Sequence, residues 1–174
     1  MNILSVLHTG KMIAVTSSRE TREQITLLTA ELALHGVVTV LDGGNRFAAY
    51  QLVRMLRMRT PNFEEAAKRI FIRRAFTCYQ MLTLLENSQA LSQPCIILDL
   101  LSTFYDENVA LQEAGRLLDN CIAQLDRLRV TGPVVVSLMP HPDRLFLFER
   151  VLAKCDQIVD VEIPFPVITQ PALF

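Results

Sequence analysis

The chain has 174 residues, 51% of them hydrophobic, and a net charge of −1. This excludes a disordered protein and fits one domain with a full core. No apolar run approaches the roughly 18 residues of a membrane-spanning helix, and the opening MNILSVLHTGK lacks the basic and apolar regions of a secretory leader. The charge is uneven. From Arg46 to Arg74 there are seven arginines and one lysine against Glu64 and Glu65, so this stretch carries +6 and the remainder −7, an asymmetry that can mark an anion-binding face.

Apolar runs alternate with helical patterns along the chain. MIAV, from Met12, reads as a short buried strand. A helix follows it with Ile25, Leu28 and Leu32 at helical spacing, closed by Gly36 as a C′ residue. VVTVLD is a second strand, rich in β-branched residues. A helix from about Phe47 to Met58 comes next, then a short one, FEEAAKR, opened by Pro61 and Asn62. RIFIRRAF is a third strand. Thr77 and Gln80 have capping-box spacing for the helix CYQMLTLLENSQAL. PCIILDLL is a fourth strand, and a long amphipathic helix from about Asn108 to Arg129 is stopped by Gly132 and Pro133. The strand VVVSLM, the helix DRLFLFERVLAK and the strand QIVDVEI complete the series.

Strand–helix alternation with continuously apolar strands predicts an α/β fold of three layers, a mainly parallel sheet with helices on both faces. Residues 1–174 are read as a single domain with a Pro-rich C-terminal tail, 164–174. The tail, PFPVITQPALF, is uncharged. It is read as a strap packed on the domain, with a segment that docks on a partner as the alternative. Ligands of such sheets bind at the carboxyl ends of the strands, which here are Val15–Thr16, Asp42–Gly44, Phe76–Thr77, Asp99 and Ser137. Cys78, Cys95, Cys121 and Cys155 form no CxxC pair and are read as buried reduced thiols of a cytoplasmic protein. His8, His35 and His141 have no metal-ligand spacing.

The pair of segments RIFIRRAFTCYQMLTLLE and PCIILDLLSTFYDENV resembles the core of the RecA/RadA recombinases and their relative KaiC. In that family a strand ends in a Phe-Thr/Ser turn before a helix with an early Gln, and an apolar Walker B strand then ends in Asp. The resemblance runs from about Met12 to Ile163, and its most specific parts are Phe76–Thr77–Gln80 and Ile96–Asp99. It implies a RecA-like core whose phosphate loop, GxxxxGK[ST], falls on Thr16 to Glu23.

None of the four signature positions matches. Thr16 and Thr21 stand at the two glycine positions, Arg22 at the lysine, and Glu23 at the hydroxyl that holds Mg²⁺. Glycines let successive backbone N–H groups wrap a phosphate. Threonines bring a Cβ into that concavity, and Glu23 brings negative charge to where triphosphate and metal meet. Ser17 and Glu20 have capping-box spacing instead, so a side chain can satisfy the helix N-terminus that a phosphate otherwise occupies. Gly10–Lys11 precedes the strand and cannot form the cradle. The family's water-orienting acid is expected where Gly44 stands. Asp42 lies two residues earlier, and a flexible Asp-Gly-Gly turn is the plainer reading. Asp99 alone keeps the family's Mg²⁺-side acid; its plainer reading is a cap on the turn at Ser102 or Thr103. Leu138 and Met139 stand where relatives place polar sensing residues.

These substitutions predict a degenerate nucleotide site at Thr16, Thr21, Arg22, Glu23 and Asp99, with no catalytic residue and no metal, in a non-hydrolysing scaffold or adaptor associated with DNA recombination or repair; the alternative is a purely structural subunit that oligomerises through an exposed sheet edge or the apolar tail. Bound ATP and Mg²⁺ remain an alternative that would use Arg22 and Asp99. Relatives assemble and often act on DNA, so single-stranded DNA, a RecA-like ATPase and further copies of the chain are the expected partners. Tyr50, Arg54 and Arg57 share a helix face that suits phosphates and a stacked base, or a solvated face with no ligand.

Overall fold

The computed structural model describes residues 3–16 and 21–160. The Ser17–Glu20 segment, the end of the predicted strand QIVDVEI and the 164–174 tail lie outside the described residues. The strands are β1 (Met12–Thr16), β2 (Val38–Asp42), β3 (Ile70–Arg74), β4 (Cys95–Leu98), β5 (Val134–Leu138) and β6 (Gln157–Asp160). The helices are α1 (Thr21–His35), α2 (Ala49–Arg59), α3 (Phe63–Lys68), α4 (Cys78–Asn87), α5 (Leu111–Arg129) and α6 (Leu145–Leu152).

All six strands pair in parallel, in the order β3-β2-β4-β5-β1-β6. Parallel neighbours need crossover helices, and the hand of those crossovers fixes their side. From β1 through β2 to β3 the chain moves one way along the sheet, and from β3 through β4 and β5 to β6 it moves back. Accordingly α1, α2 and α3 cover one face and α4, α5 and α6 the other. Alternate strand residues serve the two cores. Ile13, Val15, Val40, Ile96 and Val135 pack with Ile25, Leu52 and Ala66 on the first face. Met12, Ala14, Leu41, Ile97 and Val136 pack with Met81, Leu118, Leu125 and Leu147 on the second. Strands buried on both faces have no polar side to show, which is why they read as unbroken apolar runs. The order differs from the 3-2-1-4-5-6 arrangement of dinucleotide-binding folds, because β1 lies between β5 and β6 rather than beside β2.

Several boundaries depart from the sequence pattern. β4 stops at Leu98, and Leu100–Tyr105 form a 3-10 helix, because Asp99 takes a left-handed conformation (φ 51°) that no strand continues. α1 is not closed by a left-handed glycine. Gly36 N donates to Leu32 O, and Arg69 Nη1 donates to the carbonyls of Ala33 and Leu34, 3.1 Å each, so a guanidinium 36 residues away satisfies the helix end. At α4, Thr77 Oγ1 accepts from Gln80 N at 3.1 Å as the capping box requires. The Gln80 side chain reaches one residue further back than expected, accepting from Phe76 N at 2.8 Å.

Candidate functional site

Parallel strands bring all their carboxyl ends to one edge, where Thr16, Asp42, Leu98 and Leu138 end their strands. β2 and β4 are neighbours there, yet the chain leaves β2 for one helical layer and β4 for the other. Such a divergence opens a crevice in this class of sheet. Asp42 and Asp99 flank it.

Asp42 is wholly buried and turned into its own loop. Its carboxylate accepts from Gly44 N (3.2 Å), Arg46 N (3.0 Å) and Phe47 N (2.9 Å), and Arg74 Nε lies 3.5 Å away. Asn45 turns the loop with φ 52°. The Asp-Gly-Gly turn is therefore tied by its own aspartate rather than flexible. A carboxylate committed to three backbone N–H groups and a guanidinium has little capacity left to orient a water.

Asp99 is clasped from the other side. Its N–H donates to Ser137 Oγ (3.0 Å), and the Ser137 hydroxyl donates to Asp99 Oδ1 (3.1 Å). The turn that follows is held by the Asp99 carbonyl, which accepts from Ser102 N at 3.0 Å, and not by the carboxylate. Across the crevice, the Gly43–Gly44 backbone lies against this residue. A Cβ on Gly43 would stand 2.7 Å from Asp99 O and 2.8 Å from Met81 Cε, and one on Gly44 2.7 Å from Asp99 Oδ2. Only glycine permits that approach, and it fills the crevice beside Asp99 with protein.

Thr16 ends β1 half-buried, and Arg22 and Glu23 are exposed in the first turn of α1, which Thr21 opens. The four residues between Thr16 and Thr21 are the undescribed Ser17–Glu20, so the predicted capping box and the interior of the turn lie outside the described residues. Next to Asp99 stands Ser137, which the sequence pattern marks only as the end of a strand. Its signal was a single hydroxyl inside VVVSLM, buried to 1% exposure, where polar groups need a partner. Nearby, Tyr105 donates its hydroxyl to Met139 O, and its ring lies 5.0 Å from that of His141 at a tilt of 36°. Burial pushes its pKa up to about 12. Arg144, only 7% exposed, donates to Phe104 O (2.7 Å) and Val109 O (2.8 Å), fixing the loop after the 3-10 helix.

The basic stretch is largely absorbed by the fold. Arg59 pairs with Glu31, Lys68 with Glu65 and Arg74 with Asp42; Arg69 caps α1. On α2, Tyr50 is 83% exposed and Arg54 is exposed with no ion pair among the described residues. Arg57, one further turn along, has its guanidinium 4.7 Å over the Phe63 ring. The three therefore share an exposed strip in which one cation is already stacked.

All four cysteines are free. Cys78, Cys95 and Cys121 are buried, and burial pushes the Cys95 and Cys121 thiols up to about 12. Among the described residues no group of three or more His, Cys, Asp or Glu could hold a metal ion, and no helix is long and apolar enough to cross a membrane. A groove of about 450 Å³ lies at the opposite end of the sheet, between Val37, Phe71, Leu91, Gln93, Cys95 and Pro133, away from the strand ends where ligands of these folds sit. No protein-family model matches the chain, and no curated protein matches it significantly.

Proposed function

We propose that the chain is a non-hydrolysing RecA-like scaffold or adaptor that contacts single-stranded DNA or a partner ATPase. The observation that carries this reading is the state of its two acids. Asp42 is consumed by the loop it belongs to, and Asp99 accepts the Ser137 hydroxyl on one oxygen with Gly43 and Gly44 packed close beside it. A phosphoryl-transfer site needs an acid free to hold metal and another free to orient the nucleophile. The RecA-like reading is supported by the strand order, in which β5 separates β1, the strand of the lost phosphate loop, from β4, the strand that ends in Asp99. Fold alone does not assign function, so the DNA reading rests on the exposed Tyr50–Arg54–Arg57 strip of α2. Fluorescence anisotropy with single-stranded DNA at low salt tests it. Binding that weakens with Arg54→Ala plus Arg57→Ala and with added salt is expected. No binding at high protein concentration removes DNA from the partners and leaves the ATPase adaptor.

A second reading has an observation of its own. Arg22 is exposed at the start of α1, a helix of 15 residues, and helix N-termini attract anions. A residual nucleotide binder or slow ATPase would hold its phosphates there, with Asp99 turned from Ser137 to the metal.

A further inference from the structure

On the face of the sheet that α4, α5 and α6 serve, the outer two strands are left partly open. Thr39 of β2 is in register with Phe71 of β3, and Leu41 with Arg73; Leu41 belongs to the core of that face, so strand alternation places all four on it. Leu41 is buried, but Phe71 is 55% exposed and Arg73 is exposed. Thr39 is the one residue of β2 that is not buried. The result is the groove of about 450 Å³ at the amino ends of the strands, within the roughly 300–1,000 Å³ of small-molecule sites.

The far wall of the groove is built rather than loose. Arg127 Nη2 donates to Leu85 O (2.9 Å) and Ser88 O (2.8 Å), holding the end of α4. Thr131 Oγ1 donates to Leu91 O at 3.2 Å. A Cβ on Gly132 would stand 2.5 Å from Leu91 O and 2.6 Å from Gln93 O, so the segment carrying Leu91 and Gln93 is packed directly on backbone. A concavity fixed in this way needs little ordering when a ligand enters.

The lining has one sign of charge. Phe71, Leu91, Leu128 and Pro133 give it apolar surface, and Arg73 is its only charged side chain, with no carboxylate beside it. Among the described residues Arg73 has no ion pair, unlike its neighbour Arg74, which pairs with Asp42. Thr39 Oγ1 accepts from Gln93 Nε2 at 3.3 Å, which leaves the threonine O–H to donate. We propose that this groove binds a small monocarboxylate with an apolar body. The body lies against Phe71 and Leu91, and the carboxylate meets the guanidinium of Arg73, whose planar fork matches it, with the Thr39 hydroxyl as a further donor. A phosphate monoester fits less well, because its second charge would find no second cation in the lining. The inference does not rest on the state of the nucleotide site, which lies at the other end of the strands.

Calorimetric titration of the full chain with phenylbutanoate tests it, with the neutral phenylbutanamide and the more highly charged phenylbutyl phosphate as comparisons. One-site binding of the carboxylate is expected with a dissociation constant of about 1 mM or tighter, at least about tenfold tighter than the amide. Arg73→Ala should remove that preference, and Arg73→Lys should keep part of it. Phe71→Ala should weaken carboxylate and amide alike. Both side chains are exposed, and circular dichroism shows that each variant is folded. Absence of binding at this strength overturns the proposal, as does equal binding of carboxylate and amide. Carboxylate binding indifferent to Arg73→Ala and Phe71→Ala also overturns it, since the ligand would then sit on another apolar surface. Tighter binding of the phosphate than of the carboxylate would overturn the assignment of ligand class.

Discussion

Asp99 and Ser137 hold each other twice: the backbone N–H of Asp99 donates to the serine oxygen, and the serine hydroxyl donates to the aspartate carboxylate. The pair ties the end of β4 to its neighbour β5, at the point where Asp99 leaves the strand in a left-handed conformation. In a metal-dependent nucleotidase the same carboxylate has other work. Here its position is explained by the backbone it stabilises.

Ser137→Ala removes both bonds and leaves the Asp99 N–H without its acceptor. A loss of about 1–2 kcal/mol is expected, read from urea unfolding as a shift in midpoint with unchanged slope. A midpoint identical to that of the parent chain would show that the clasp adds nothing.

Gly43→Ala should be more harmful than Gly44→Ala. The first sets a methyl against the Asp99 backbone carbonyl, which cannot withdraw without moving β2 from β4, as well as against the flexible end of Met81, for about 1–3 kcal/mol. The second meets the Asp99 carboxylate, a side-chain end that can rotate if Ser137 releases it. Thermal unfolding of the two variants checks the order, and equal effects would contradict it.

Asp42→Ala strips the acceptor from three backbone N–H groups in a buried loop and should destabilise by about 3 kcal/mol or more. Asp42→Asn keeps one oxygen and should lose less. If the Asn variant instead matched the parent, the negative charge beside Arg74 would be dispensable.

Alkaline unfolding should carry the signature of the buried thiols. The ordinary thiol value is 9.0; burial raises Cys95 and Cys121 to about 12 and Cys155 to about 11. These groups bind protons more tightly when folded, so their stabilisation is complete below pH 9 and is lost as pH rises toward 11–12. A thiol reagent at mildly alkaline pH should react slowly with the native chain and rapidly after unfolding. Prompt reaction of all four cysteines in the native state would contradict this burial.

The layered α/β architecture was legible because its strands are buried on both faces and so appear as short apolar runs between helical periods. Their order was not, since each pairing joins segments far apart in sequence through contacts no local pattern encodes. The same holds for Arg69 at the end of α1, where a glycine seemed sufficient, and for β4, which the apolar run PCIILDLL extended beyond Asp99. At the site, the Asp42 turn was readable from Asp-Gly-Gly, although its closure by Arg74 was not. Ser137 escaped because its meaning lies 38 residues away, on Asp99.

Calorimetric titration with Mg-ATP bears most directly on the non-hydrolysing reading. No saturable heat is expected in the range of ordinary nucleotide sites, because Asp42 is already engaged by its own loop and Thr16, Thr21, Arg22 and Glu23 stand where a phosphate loop would be. A dissociation constant below about 100 μM, roughly −5.5 kcal/mol, and its loss in Arg22→Ala or Asp99→Asn, would contradict that reading and establish a working nucleotide site.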